Sequence, residues 1–168
     1  IAMIPEDRKR QGLHLELPIA DNISLIKINA LSKLLTVSRP KERALIDRFI
    51  KALSIKLASP EAHASSLSGG NQQKVVLSKW LSTEADILFL DEPTRGIDVG
   101  AKKEIYELMD RLRAEGRSII VISSEMLEVV GLCSRVLVMC EGRLNGELQE
   151  NILELASGGT LPAVNIGS

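Results

Sequence analysis

Aromatic side chains are almost missing: one Trp, one Tyr and two Phe in 168 residues, or 2% of the chain. Apolar residues still make up 45%, so aliphatic side chains must build the core of an ordered domain. Cysteine is equally scarce. Cys133 and Cys140 are isolated, with no C-x-x-C and no Cys/His spacing, which excludes a zinc motif and a disulfide framework. They read as small buried apolar residues in a reducing compartment. His14 and His63 are far apart and neither lies in a ligand motif. An excess of one charge is also lacking. Lys and Arg number 21 against 22 Asp and Glu, leaving −1, so nothing draws the chain to nucleic acid or to an anionic membrane in bulk. No apolar run approaches the ~20 residues of a spanning helix, so any membrane contact goes through another protein. There is no internal repeat and no low-complexity stretch.

What is present falls into two parts. Ile1-Ala2-Met3-Ile4-Pro5 reads as the end of a strand, and Glu6 to Gly12 as a charged loop. Asp21-Asn22 can cap a short helix carrying Ile23 and Ile26. Pro40 marks a helix start, with Leu45, Ile46, Phe49, Ile50 and Leu53 at helical spacing. Residues 13 to 66 therefore read as helical. Beyond Asn71 a helix continues through Trp80 and Leu81. Ile87 to Leu90 is a continuous apolar run, expected of a strand covered on both faces. Ala101 to Glu115 is an amphipathic helix with Ile105, Leu108, Met109 and Leu112 inward and Gly116 as its stop. Ile119 to Ile122 reads as another buried strand, Glu125 to Leu132 as a short helix, Val136 to Met139 as a third strand, Glu141-Gly142 as a turn, and Asn151 to Ala156 as the start of a last helix. Helices followed by strand–helix–strand–helix–strand predict an α/β fold, with right-handed crossovers giving a parallel sheet.

Two stretches carry chemistry. In Leu67-Ser68-Gly69-Gly70-Asn71-Gln72-Gln73-Lys74, small residues open a helix. A helix start offers unpaired N–H groups and a positive dipole end, which attract phosphate. Two glycines let an anion approach the backbone, and the Ser68 hydroxyl can add a donor. Ser-Gly-Gly alone would be a serine cap on a flexible turn. Its place before a buried strand ending in two acids reverses that balance. In that strand, Asp91 stands at the carboxyl end, where a carboxylate can hold Mg²⁺ through water. Glu92 points elsewhere because strand side chains alternate, and Pro93 is expected to keep it extended. A carboxylate there could orient and deprotonate a water. The bland alternative for Asp91 is a strand-end cap, but an apolar run ending in Asp-Glu-Pro-Thr is far more specific than one acid. The helix from Asn71 to Leu81 is roughly 16 Å long. The glycine turn and Asp91 are thus expected not to hold one phosphate within one subunit.

Taken together, these motifs resemble the nucleotide-binding cassette of ATP-binding cassette (ABC) transporters, a P-loop NTPase fold. More narrowly they resemble the C-terminal cassette of the tandem ATPases of bacterial ribose/galactose/xylose importers. The narrowing rests on Pro5-Glu6-Asp7-Arg8-Lys9, Gly70-Asn71-Gln72-Gln73-Lys74, Thr94-Arg95-Gly96-Ile97-Asp98-Val99-Gly100 and Ser123-Ser124-Glu125-Met126. The likeness implies a partial cassette over 1–157, with a helical subdomain at 13–80 and a catalytic β/α part at 81–157, then a tail at 158–168. It implies ATP and Mg²⁺ as cofactors. Leu67, Ser68, Gly69, Gly70, Asn71 and Gln72 would cap the γ-phosphate held by an opposing cassette. Asp91 would serve the magnesium ion, Glu92 would be the general base, Asp98 would belong to a loop crossing the dimer, and Glu6 would stand at the lever toward the membrane subunit. The loop Glu6 to Gly12, Arg8 included, would dock that subunit. Implied partners are a second cassette, membrane permease subunits and a periplasmic or extracellular sugar-binding protein, with no nucleic acid, at the cytoplasmic face of a bacterial membrane.

Two departures qualify the likeness. Ser124 stands where a histidine normally meets the γ-phosphate, so the site built on Asp91 and Glu92 is expected to be slow. No G-x-x-x-x-G-K-[ST] loop occurs in these residues, which read as a cassette truncated before the glutamine loop. Two other classes stay open on that account: a non-catalytic remnant that only pairs with another subunit, and a soluble ABC ATPase. Basic patches or long heptad repeats would mark the latter, and neither is present.

Overall fold

Short apolar runs draw three strands into one parallel sheet. The computed structural model describes residues 1–33 and 36–149, which divide into two units, Ile1–Ile122 and Ser123 onward. In chain order the first unit runs β1 (Ala2–Ile4), a π-helical turn (Arg8–Gly12), α1 (Ile19–Ser24), α2 (Ile28–Leu31), β2 (Ser32–Lys33), β3 (Thr36–Val37), α3 (Arg39–Ala52), α4 (Gly69–Leu81), β4 (Ile87–Asp91), α5 (Val99–Ala114) and β5 (Ser118–Ile122). β1 and β5 flank β4, both parallel to it, in the register Met3–Phe89–Ile120. Ala2, Ile4, Leu88 and Leu90 form the buried face, and α4 packs against β1, α1 and α5.

Coverage on both faces does not hold within this unit. Ile87, Phe89 and Asp91 are only half-buried. Ile120 and Ile122 are 44% and 48% exposed, so β5 is not a buried strand here. The strands therefore show period-2 burial despite their unbroken apolar sequence.

The helical part, residues 13 to 81, mostly follows its periodicity. α3 starts with Pro40 in its first turn and buries Ile46 and Phe49, while Leu53 is buried just past its end. Asn22 is not a cap. It lies inside α1, which starts from Pro18, and is fully buried. Its amide accepts from the His14 N–H at 2.8 Å and donates to the carbonyls of His14 and Pro18 at 2.9 and 3.0 Å. A buried side chain with complementary partners on a folded-back loop outweighs a cap role. The short antiparallel pair β2–β3 was not expected from the sequence.

The second unit holds α6 (Met126–Leu132), β6 (Arg135–Cys140) and β7 (Arg143–Gln149). β6 does not extend the parallel sheet; it pairs antiparallel with β7. Glu141 and Gly142 both have positive φ, 48° and 75°, the geometry of a tight two-residue hairpin. The turn was foreseen, its return strand was not. The helix expected from Asn151 and the tail from 158 lie outside the described residues.

Cys140 is exposed, against the expectation of a buried thiol, and Cys133 is half-buried. Burial, reinforced by the Glu128 carboxylate, raises the Cys133 thiol above its ordinary value. At neutral pH a maleimide is therefore expected to label Cys140 well before Cys133. Mass spectrometry of timed digests checks the order, and equal labelling rates would contradict this placement.

Candidate functional site

Ser68 takes an extended backbone and caps α4. The hydroxyl accepts from Asn71 Nδ2 at 2.9 Å, which leaves its proton free to donate outward. Asn71 Oδ1 in turn accepts the Lys56 N–H at 2.9 Å. The start of α4 is thus a fixed turn with unpaired backbone N–H groups, suited to an anion.

The two glycines have a reason that the sequence did not reveal. A Cβ on Gly70 would stand 2.5 Å from the Ala101 Cβ on α5, and one on Gly69 would stand 2.8 Å from Arg8 Nη2 and 3.2 Å from the Gly96 carbonyl oxygen. Both glycines permit close approach inside the chain, as well as leaving room for an anion. The Gly96 carbonyl lies against Gly69, so the chain beyond Asp91 comes back beside the start of α4. Helix length alone therefore does not separate the two motifs.

A cleft of about 260 Å³ opens between the starts of α4 and α5, bounded by Ser68, Gly70, Asn71, Lys56, Lys74 and Asp98. Asp98 caps α5, accepting from the Ala101 N–H at 2.9 Å, which explains an aspartate here within one chain. Lys74 is buried. Its ammonium donates to the Ser54 carbonyl at 3.1 Å and is ion-paired with Glu104, whose carboxyl is held below the usual range mainly by that hydrogen bond. Lys56 and Glu104 carried no sequence signal, because their place depends on the turn after α3 and on the α5 register.

Gln72 does not reach this cleft. Its side chain is buried and donates from Nε2 to the Ala64 carbonyl at 3.3 Å. One turn into the helix, this amide faces α4's packed side. Leu67 is half-buried in the approach to the helix.

Asp91 ends β4 half-buried, with Ile122 as its register neighbour on β5. Glu92 is not extended as Pro93 predicted; its φ is +45°. Its N–H donates to the Ile122 carbonyl at 2.8 Å and its carbonyl accepts from the Arg95 N–H at 3.1 Å. These two bonds hold a non-glycine residue in a left-handed conformation that costs on the order of 1–3 kcal/mol. Strain of that kind at the end of a strand marks a site where side-chain direction matters. Pro93 and Thr94 behind it are buried.

Glu6 pairs with Arg95, and Arg8 donates to the Arg95 and Gly96 carbonyls at 2.8 and 3.2 Å. The structure thus joins the Glu6 loop to the segment before Asp98. Ser124 belongs to the second unit, where it is exposed.

The sequence matches the family described as ABC transporter over residues 1–95. The chain belongs to this family. Across 95% of its length it is 47% identical to the ribose import ATP-binding protein RbsA of Bacillus subtilis. It is 51% identical over 93% of its length to the xylose import ATP-binding protein XylG of Pseudomonas fluorescens. It is also 51% identical, over 90%, to a putative ribose/galactose/methyl galactoside import ATP-binding protein of Rhizobium meliloti. The chain spans about a third of these relatives, 34%, 31% and 30% of their lengths. In fold, this ABC chain is similar to the ATP-binding cassette MJ0796 in a dimeric post-hydrolysis state bound to ADP and Pi. The TM-score is 0.73 at 20% identity, over 88% of this chain and 61% of that one.

Proposed function

We propose that these residues form the signature-bearing part of an ATP-hydrolysing subunit that drives monosaccharide import in bacteria. One observation carries the reading: 47–51% identity, over 90–95% of the chain, to ribose, xylose and galactose-type import ATP-binding proteins. The start of α4 supports it, because a capped turn with free N–H groups and an outward hydroxyl fits a phosphate.

In this reading Ser68, Gly69, Gly70 and Asn71 bind the γ-phosphate of ATP held by a second cassette. Asp91 would hold Mg²⁺ through water. One half-buried carboxylate fits that ion, which keeps most of its waters and takes phosphate oxygens. When bound, the ion neutralises charge developing on the phosphates. Glu92 orients and deprotonates the attacking water, Asp98 fixes the loop beside the phosphate, Glu6 links the site to the permease, and Ser124 replaces a histidine. The partial-cassette boundaries 1–157 and the subdomain limits 13–80 and 81–157 belong to the same proposal. Permease subunits and a periplasmic or extracellular sugar-binding protein complete the assembly, with the ATPase subunit at the cytoplasmic face of the membrane. No helix of the described residues is long and apolar enough to cross a membrane.

The test is a chimera of the Bacillus subtilis relative, its matching residues exchanged for these, reconstituted with its permease and binding protein. ATP turnover stimulated by sugar-loaded binding protein is expected. Absence of any turnover would sink the proposal. In the same chimera Glu92→Gln is expected to lower turnover less than about tenfold, below the ~10²–10⁴ that a general base supplies. The reason is Ser124, which cannot be cationic and leaves that site little to lose. Steady-state rates at saturating ATP decide, and a loss of a hundredfold or more would contradict the weak-site assignment.

A further inference from the structure

We infer that Arg8 is a positioning residue, a clamp that sets the loop Arg95–Asp98 against the first turn of α4. This rests on the ATPase reading above and names a residue that sequence analysis placed at a membrane-subunit docking surface instead.

Arg8 Nη1 and Nη2 donate to two successive carbonyls, Arg95 at 2.8 Å and Gly96 at 3.2 Å. A planar fork on consecutive carbonyls fixes the orientation of the peptide between them, which a point charge cannot do. The same Nη2 lies 2.8 Å from where a Cβ on Gly69 would stand, and the Gly96 oxygen lies 3.2 Å from that point. The guanidinium is therefore wedged between the loop and the helix start. Its Nε is buried with no acceptor among the described residues, whereas an arginine swung out into water would hydrate that N–H. Lys9 and Arg10, on the same turn, are exposed.

The far end of the turn is fastened too. The Gly12 carbonyl accepts from the buried Lys79 ammonium of α4 at 3.0 Å. A Cβ on Gly12 would stand 2.9 Å from Val76 Cγ2, also on α4. The Asp7 carboxylate caps the turn, accepting from the Lys9 and Arg10 N–H groups at 3.1 Å each. Arg8–Gly12 is thus a bracket, anchored on the middle of α4 and reaching through Arg8 to the loop that precedes α5. The starts of α4 and α5 are the two walls of the cleft, and Arg8 holds one in register with the other.

The test uses the reconstituted chimera with Arg8→Met and Arg8→Lys. Arg8→Met is expected to lower kcat at least tenfold with KM for ATP within twofold, unchanged melting temperature and unchanged sugar transported per ATP. Hydrogen exchange should accelerate at the amides of Gly96 to Gly100 and little elsewhere. Arg8→Lys should recover only part of kcat, since an ammonium cannot span both carbonyls. Unchanged kcat overturns the clamp. So does normal kcat with less sugar moved per ATP, which is the mark of a docking residue. A fall in melting temperature with exchange spread across the unit overturns it as well, showing a merely structural arginine. If the unsubstituted chimera hydrolyses no ATP, the ATPase reading fails by itself. Exchange at Gly96 to Gly100 in Arg8→Met against its parent then decides the clamp.

Discussion

Gly69→Asp in the reconstituted chimera is expected to cut ATP turnover by about a hundredfold or more, the scale of removing preorganised electrostatic stabilisation. Two effects act together. The new carboxylate stands at a helix N-terminus, where the γ-phosphate of the opposing cassette must approach, and two anions in a closed interface repel strongly. The structure adds a second effect. The new side chain begins 2.8 Å from Arg8 Nη2, so the carboxylate competes with the Arg95 and Gly96 carbonyls for the guanidinium. An aspartate favours a helix start in isolation, so the folded chain need not lose stability. Steady-state turnover and a thermal melt on the same preparation separate the outcomes. Tolerance of Gly69→Asp alongside collapse in Glu92→Gln would show the roles of the two motifs reversed.

Gly70→Ala is expected to destabilise the chain by roughly 1–3 kcal/mol, the scale of overpacking a tight contact. A methyl group there would lie 2.5 Å from the Ala101 Cβ, far inside the contact distance of non-bonded carbons, so α4 and α5 must move apart. Placing Ala101→Gly in the same chain should restore much of the loss. Alone, Ala101→Gly costs roughly 0.5–1 kcal/mol through helix propensity. Denaturant midpoints of the four proteins give the coupling. Costs that simply add would mean that helix–helix contact is not why position 70 is glycine. The comparison also separates stability from phosphate binding, which sequence alone could not do for this motif.

Regular periodicity was legible. The inward set Ile105, Leu108, Met109 and Leu112 is buried as the spacing requires and Gly116 follows the helix end, whereas the Asp98 cap, which starts α5 at Val99 rather than Ala101, was not read. The strand ending at Asp91 and the helix opening after Ser68 were also readable, because apolar runs and caps are local signals. Features set by distant partners were not. Nor was the fold-back that lets Asn22 answer the polar groups of His14 and Pro18, only eight and four residues back, because it leaves no periodic signal. Pro93 argues for an extended Glu92, and the bonds to Ile122 and Arg95 hold it otherwise. The strand Arg143–Gln149 was hidden because its alternation is weak and its pairing depends on the turn before it. At the candidate site, the residue types were legible while their partners were not. Arg8 looked like one charge among several, and its carbonyl partners lie on a loop far along the chain.

The pairing of β1 with β4 sets a timetable for synthesis. Ala2 meets Leu88, and the helical part, together with α4, lies between them. At ~5–20 residues per second of chain growth, β1 waits roughly 4 to 17 seconds after its own synthesis before β4 exists to pair with it. Contacts so distant form late and slowly, while short-range helices form early. During that interval Ala2 and Ile4 have no β4 to pair with. Slowing translation between the codons for Leu13 and Asp86 would lengthen the exposure without altering the final fold.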